Sequence, residues 1–429
     1  MFWLLLRRNR NFRHLWIGQV VSEVGDHFNT IAVLSLTLEL TGSGMAVGGV
    51  MLSRTLPASI AGPLAGVVLD RFDRRAVMFA SDLLRCAFAL LFILVLTHRL
   101  TWLLYVLSGL LMFASPFFTA GRSAILPKIA GGEQLHTANA MTQTTAWLTL
   151  AVGTMLGGVS TMRFGYEWAF VVNAVSFLFS AGAVWRLRSP DGHFRAARAQ
   201  VEPHSPGSFY RDFHDSLRYM RRTPLVLGIA LIWVGWATGG GAAQMLFTLF
   251  GQRVFDAGAA GIGWIWGSAG FGLVGGGLLA HRIGPRLDFP RYKHAVTVLV
   301  FLHGAAYVLF SLAPTIGWAV ALIAASRVAM GANNVLNRTM LLVHVPDHFR
   351  GRVFSTVETM MHATMMLSLT VASVATDYYS ARQIAFVAGC CSSATAFFWA
   401  WANAAGKLPE PVPQPVDEEP AYQDPVTPA

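Results

Sequence analysis

Glu23 and Asp26 stand three residues apart within a mostly apolar run from 14 to 39. On a helix that spacing places both carboxyls on one face. An acid held in apolar surroundings can take up and release a proton or hold a cation. Asp26 falls near the middle of its run with His27 beside it, a second candidate proton carrier. Arg54 lies at a similar depth in the next apolar run and is expected to pair with Asp26 and tune its affinity for a proton. The plainer reading of that set is a permanent structural ion pair. Arg327 is the second deep cation, with no acid evident at its depth, and is a candidate for an anionic group such as a carboxylate or catecholate. Hydrogen bonding to carbonyls of a neighbouring helix is the alternative. Asp82 and Arg85 read as a structural (i, i+3) pair. Arg122, Arg338 and Glu358, near the ends of their runs, are expected to meet as an inner gate. His303 and His362 read as packing residues.

The elements that hold these groups follow from composition. The 429 residues are 54% hydrophobic and 13% charged, with mean hydropathy +0.50, whereas ordinary soluble domains carry about 25% charged residues. Apolar runs recur at 14–39, 45–69, 75–97, 102–126, 138–160, 167–187, 223–250, 259–280, 294–313, 316–343, 353–376 and 381–403. Runs of about 20 residues cross a hydrocarbon layer ~30 Å thick. The expected fold is an all-α polytopic membrane protein with twelve transmembrane helices in two pseudo-symmetric six-helix bundles. Residues 1–187 form the first bundle, 188–222 a polar, arginine-rich cytoplasmic linker, and 223–405 the second bundle. Residues 406–429, acidic and Pro-rich, are expected to form a disordered cytoplasmic tail.

Net charge is +10, which in a soluble domain would invite a nucleic-acid partner. Here 24 of the 32 Lys and Arg fall in the N-terminus, the C-terminal tail and alternate loops, while the opposite loops hold only Arg99, Arg163, Arg253 and Arg382. The positive-inside rule then places both termini in the cytoplasm of a bacterial inner membrane, and no nucleic acid is called for. The first residues put their apolar side chains before their charges, unlike a signal peptide, and are expected to lie as a short helix on the inner surface. The three cysteines, Cys86, Cys390 and Cys391, imply neither a disulfide framework nor a metal.

Five charges crowd the turn Asp70-Arg71-Phe72-Asp73-Arg74-Arg75 between two apolar runs, with Gly66 one helical turn earlier. Gly66 removes bulk where a neighbouring helix can approach. Displaced by 211 residues, Gly66, Asp70, Arg71 and Arg75 land on Gly277, His281, Arg282 and Arg286. Such an internal echo suggests two related halves with a site at their interface. Gly153, Gly157 and Gly158 allow close helix packing. Trp147, Trp233, Trp236, Trp264, Met361, Met365 and Met366 are candidates for an apolar cavity lining.

The turn at 70–75, preceded by Gly62-Pro63-Leu64-Ala65-Gly66, resembles the signature loop between the second and third helices of the major facilitator superfamily. Ser22-Glu23-Val24-Gly25-Asp26, Arg122-Ser123-Ala124-Ile125-Leu126-Pro127, Ala138-Asn139-Ala140 and Arg350-Gly351-Arg352-Val353-Phe354 are together similar to the macrolide-efflux and enterobactin-exporter branch. The resemblance implies a secondary transporter working by alternating access, usually a proton-driven exporter of small organic molecules such as drugs or siderophore-like compounds. It further implies that Asp70 meets the start of the eleventh helix, at Val353 and Arg352, and locks one state. Arg71 and Arg75 would face lipid phosphate or a neighbouring loop; the plainer reading of Arg74 and Arg75 is that they merely obey topology. The Gly153-Thr154-Met155-Leu156-Gly157-Gly158 stretch resembles an antiporter element, with Thr154 in place of its proline. The expected partners are a small-molecule substrate, protons and membrane lipids, with the chain acting as a monomer and without a cofactor. The alternatives are an uncoupled or lipid-handling facilitator, a sensor on the same fold, and a membrane enzyme. For the last, the loops offer no nucleophile–base constellation.

Overall fold

The computed structural model describes residues 2–189, 193–195 and 206–411, and they are almost wholly helical. In order, the helices are α1 (Phe2–Arg8), α2 (Arg10–Thr41), α3 (Gly44–Arg71), α4 (Arg74–Leu91), α5 (Ile93–His98), α6 (Thr101–Ala130), α7 (Gly132–Phe164) and α8 (Tyr166–Trp185). There follow α9 (Pro206–Arg222), α10 (Pro224–Leu249), α11 (Gly258–Ile283), α12 (Phe289–Ser311), α13 (Ile316–His344), α14 (Asp347–Ala375) and α15 (Ala381–Ala404). Local sequence sets the ends. Asn9, Ser43, Asp73 and Asp288 each accept a hydrogen bond from the backbone N–H three residues on. Gly42 closes α2 at φ 61°, in the left-handed region that glycine enters without strain.

Among the described residues, nine helical segments are long and apolar enough to cross a membrane, α4 and α5 counting as one. Three of the twelve expected spans, α2, α7 and α14, fall outside that set. They are 32, 33 and 29 residues long, more than a bilayer requires at 1.5 Å per residue. Their polar residues turn inward: Gln19, Ser22 and Asn29 on α2, Thr145, Thr149 and Thr154 on α7, and Thr356 and Ser373 on α14 are buried. These three helices also carry contacts between the halves, α7 and α2 packing on α11 and α14 on α3.

Within each half the helices pair in parallel fashion. Helix α2 packs on α7 and α8, α3 on α6, and α4 on α6 and α8. Likewise α10 packs on α14 and α15, α11 on α13, and α12 on α13 and α15. One apolar cluster, from Ala32 and Val47 to Phe250, Phe310 and Leu369, runs through both halves at the end carrying few charges. At the basic end there are two separate cores. One holds Leu5, Phe12, Met78 and Val184 of the first half, the other Met220, Tyr292, Val353 and Trp399 of the second. The molecule is therefore fused at one end and split at the other.

Several boundaries differ from expectation. Helix α14 begins at Asp347 rather than near 353, because Pro346 ends the preceding chain and supplies the cap position. The third span breaks at Phe92, whose buried ring stacks on Phe170 at 5.2 Å. The stretch expected as a polar linker contains α9, whose Met220 is buried and whose Tyr219 ring stacks on Phe349 at 5.2 Å. The expected tail starts with a docked segment: Leu408 is buried and accepts a hydrogen bond from Lys293 Nζ at 3.1 Å. Residues 412–429, the rest of that expected tail, lie outside the described residues. Helix α1 packs against α2 and α7, with Leu5 buried in the core of the first half.

Candidate functional site

The first half holds its deep charges at the meeting of α2, α4, α6 and α7. Glu23 is fully engaged. Its Oε1 accepts from Gln19 Nε2 at 2.8 Å and from Arg122 Nη1 at 3.5 Å, and its Oε2 accepts from Thr149 Oγ1 at 2.9 Å. The expected gate partner Arg122 is thus committed to Glu23, one helical turn from Asp26.

Asp26 is held differently. Its Oδ2 lies 3.9 Å from Arg85 Nη1, and its Oδ1 is buried without a hydrogen-bond partner. Arg85 also pairs with the fully buried Asp82 one turn earlier on α4, and its guanidinium lies over Phe118 and Phe177, 4.8 and 4.4 Å from the ring centroids. One cation therefore serves two acids in a wall of aromatic rings. This corrects the expected pairing of Asp26 with Arg54. Arg54 Nη2 instead donates to Thr30 Oγ1 at 2.8 Å, and Thr30 Oγ1 in turn donates to the Asp26 carbonyl at 2.7 Å. Arg54 sits a turn farther along the membrane depth than Asp26, so it reaches the next polar group up the helix. The signal for Arg85 was present in the sequence as its mid-run depth, matching that of Asp26, but its nearer acid Asp82 masked it.

His27 makes no hydrogen bond among the described residues. It packs on α7, where a methyl group at Gly153 would meet its ring at 3.0 Å. The glycine therefore makes room for the histidine.

In the second half Arg327 has, among the described residues, neither an ion pair nor the carbonyl bonds considered for it. Its guanidinium lies 5.9 Å from the Trp236 ring and 5.7 Å from Phe247. It shares a small cavity with Trp236, His303, Tyr307 and Ser392. Of the other aromatic candidates, Trp147 faces Gly277 across the contact between halves. Trp233 is buried with its Nε1 unbonded.

The charged turn divides into two parts. Asp73 caps α4 and accepts from Phe194 N at 2.7 Å. Arg74 Nη1 donates to the Ala124 carbonyl at 2.8 Å, and Arg75 Nη1 to the Leu187 carbonyl at 3.0 Å, with its guanidinium 5.5 Å from the Trp185 ring. These two arginines thus fasten the ends of α6 and α8. Asp70 and Arg71, by contrast, are exposed, and Asp70 makes no ion pair among the described residues. The expected meeting of Asp70 with a free helix end at Val353 is not found. Val353 is buried in the second turn of α14, where its N–H is inside the helix. Arg352 is exposed, with its guanidinium 5.6 Å from the Phe349 ring. The space beside Gly66 is open rather than filled by a helix, because this end of α3 faces the split. The expected inner gate is likewise unformed: Glu358 is exposed without an ion pair among the described residues, and Arg338 lies 5.5 Å from the Phe354 ring.

At the opposite end the halves are in close contact. A methyl group on Gly48 of α3 would come within 2.6 Å of Ser373 Cβ on α14, and one on Gly158 of α7 within 3.0 Å of Gly263 Cα on α11. Arg253, just beyond α10, donates to the Gly42 carbonyl.

Comparison with known proteins places this arrangement. The chain is 20% identical over 370 residues to macrolide efflux protein A of Streptococcus pyogenes, covering 85% of this chain and 89% of that one. It is 26% identical over 361 residues to the multidrug efflux pump Tap of Mycolicibacterium fortuitum, covering 82% and 86%. A crystal structure of a variant of the nucleoside transporter NupG superposes with TM-score 0.72 at 13% identity, covering 91% of this chain and 99% of that one. The family model of the Major Facilitator Superfamily matches residues 15–369. With that match across most of the chain, and with the fold described above, this protein is a multi-pass membrane transporter and belongs to the Major Facilitator Superfamily.

Proposed function

We propose that the chain exports small organic molecules in exchange for protons, by alternating access, with Asp26 as the proton-handling group. The carrying observation is the shared cation: Arg85 faces both Asp26 and Asp82, while Asp26 Oδ1 has no partner. Removing one member of a buried ion pair strands the other at a cost of about 3–5 kcal/mol. When Asp26 takes a proton, Arg85 keeps Asp82 as its partner. Glu23, held by three donors, acts as a positioning group, and Arg54 orders the α2 backbone beside Asp26 through Thr30. The efflux proteins among the relatives support the outward direction. With the basic end in the cytoplasm of a bacterial inner membrane, the split between the two basic-end cores corresponds to an inward-open state. Closing it would bring Asp70 toward Arg352 and the early turns of α14, with Gly66 admitting the incoming helix. Arg338 and Glu358 would approach Arg122 in the same movement.

Thr154, in place of a proline, favours a second reading as an uncoupled facilitator. Its hydroxyl donates to the Leu150 carbonyl at 2.6 Å within an unbroken α7. Purified protein in liposomes with an imposed pH gradient separates the two. Gradient-driven accumulation that Asp26→Asn abolishes, while gradient-free exchange persists, supports coupling at Asp26. Full coupling in Asp26→Asn overturns it, and solute movement indifferent to the gradient in the wild type establishes the facilitator.

A further inference from the structure

The first, third, fourth and sixth long helices of each half enclose a polar cluster near mid-helix. In the first half these are α2, α4, α6 and α8, around Asp26, Arg85 and Asp82. In the second they are α10, α12, α13 and α15, around Arg327, His303, Tyr307 and Ser392. The two clusters differ in charge balance. The first has two acids for one arginine. The second has none: no Asp or Glu occurs anywhere in α10, α11, α12, α13 or α15. Arg327 therefore has no counter-charge available from its own helix, from the three others lining the cavity, or from α11 packed on its flank.

What surrounds Arg327 is a set of polar groups without partners, two of them hydroxyls able to turn their hydrogens toward an anion. The Tyr307 hydroxyl, the Ser392 hydroxyl and the Trp236 indole N–H are all buried without a hydrogen-bond partner. Tyr307 is 3% exposed and Ser392 2% exposed. Both line the cavity, together with Trp236 and Arg327. His303 Nδ1 lies 2.8 Å from Ser326 Oγ and is occupied by α13. The rings of Trp236 and Phe247 offset part of the cationic charge, but leave the three polar hydrogens unsatisfied. Native interiors rarely leave several such groups unpaired side by side. The cavity, about 10 Å³, is close to the minimum that holds one water, so a halide or carboxylate enters only as the Arg327 side chain shifts. Arg327 itself is only half-buried, and its side chain forms one wall of the cavity.

We propose that this cluster is a binding site for a monovalent anionic group, with Arg327 supplying charge and Tyr307, Trp236 and Ser392 supplying directed hydrogen bonds. One anionic group with several lone pairs can accept from all four and neutralises a cation that has no acid on α10, α11, α12, α13 or α15. The group comes either as a free halide or as the carboxylate of a transported molecule. The site does not depend on proton coupling at Asp26 and stands if that reading fails.

The test uses the full-length purified protein, exchanged into a buffer of large organic sulfonate anions and titrated with sodium chloride or with sodium acetate. The readout is the thermal unfolding midpoint, with tryptophan fluorescence as a second signal. Wild type should show a saturable rise of several degrees, of the size that ligand binding to the folded state produces. Arg327→Gln should abolish it, Arg327→Lys should retain it with weaker affinity, and Tyr307→Phe should weaken it about tenfold while leaving the protein folded. Saturation by chloride identifies a resident ion, and saturation by acetate alone identifies a carboxylate subsite. Either supports the proposal. No saturable effect in wild type, or the same midpoint shift in wild type and Arg327→Gln, overturns it and leaves a buried water as the occupant.

Discussion

Arg85 illustrates how a side chain's role is decided by its neighbours across helices. It bonds Asp82 on its own helix and faces Asp26 on another, with its guanidinium over two phenylalanine rings. Arg85→Met should lower stability by about 3–5 kcal/mol, since two acids are stranded. Combining it with Asp82→Asn should recover part of the loss, as thermal unfolding in detergent will show. Asp70 is the opposite case. Exposed and without an ion pair among the described residues, it should tolerate Asp70→Asn with a stability change within about 0.5 kcal/mol, yet transport should fall far more than for His281→Asn. Equal transport defects would reduce Asp70 to a marker of topology. The (i, i+3) relation of Glu23 and Asp26 was legible from spacing alone, because helical period fixes which side chains share a face. Their partners Arg122, Thr149 and Arg85 were not, because period says nothing about which helix packs on that face.

At the scale of elements, the contact of α7 with α11 and of α3 with α14 depends on glycines that let backbones approach. Gly158→Val would drive a branched side chain into the backbone of α11 at Ala259 and Gly263. The substitution should weaken the fused end and shift the population toward the state open there, measured as a longer spin–spin distance between labels on the two halves. An unchanged distance would show that the two helices slide without cost. Most spans were legible as apolar runs, as far as their length and composition go. The exceptions have physical causes. Helix α9 hid in a polar stretch because only one of its faces, at Met220 and Tyr219, meets the core. Helix α14 starts six residues early because charged residues at a membrane surface do not stop a helix.

For the whole molecule, the distribution of apolar clusters is the main finding: one shared core at the low-charge end, two separate cores at the basic end. Single cysteines at Gly66 and Gly351, both bordered by open space, should react rapidly with a water-soluble thiol reagent in a cysteine-free background. A cysteine at Ser373, buried in the fused end, should stay protected. Reversal of that pattern would assign the opposite state to the protein in solution. In the sequence, the echo of Gly66–Arg75 in Gly277–Arg286 suggests two related halves. It carried no sign of which end is closed, because apolar runs and charge bias mark where helices cross and not which of their ends pack together.

Leu408 gives the second half a property in time. It lies past the last long helix and is buried in the core built by Met220, Tyr292 and Trp399, clasped by Lys293 through its carbonyl. During synthesis the first half can close its basic-end core from residues 5 to 194 while the ribosome is still making the second. The second half cannot: its final stone follows every helix it must join. That core is therefore completed only after α15 has been made, and a chain interrupted there leaves an unfilled socket between Met220, Tyr292 and Trp399 at the basic end.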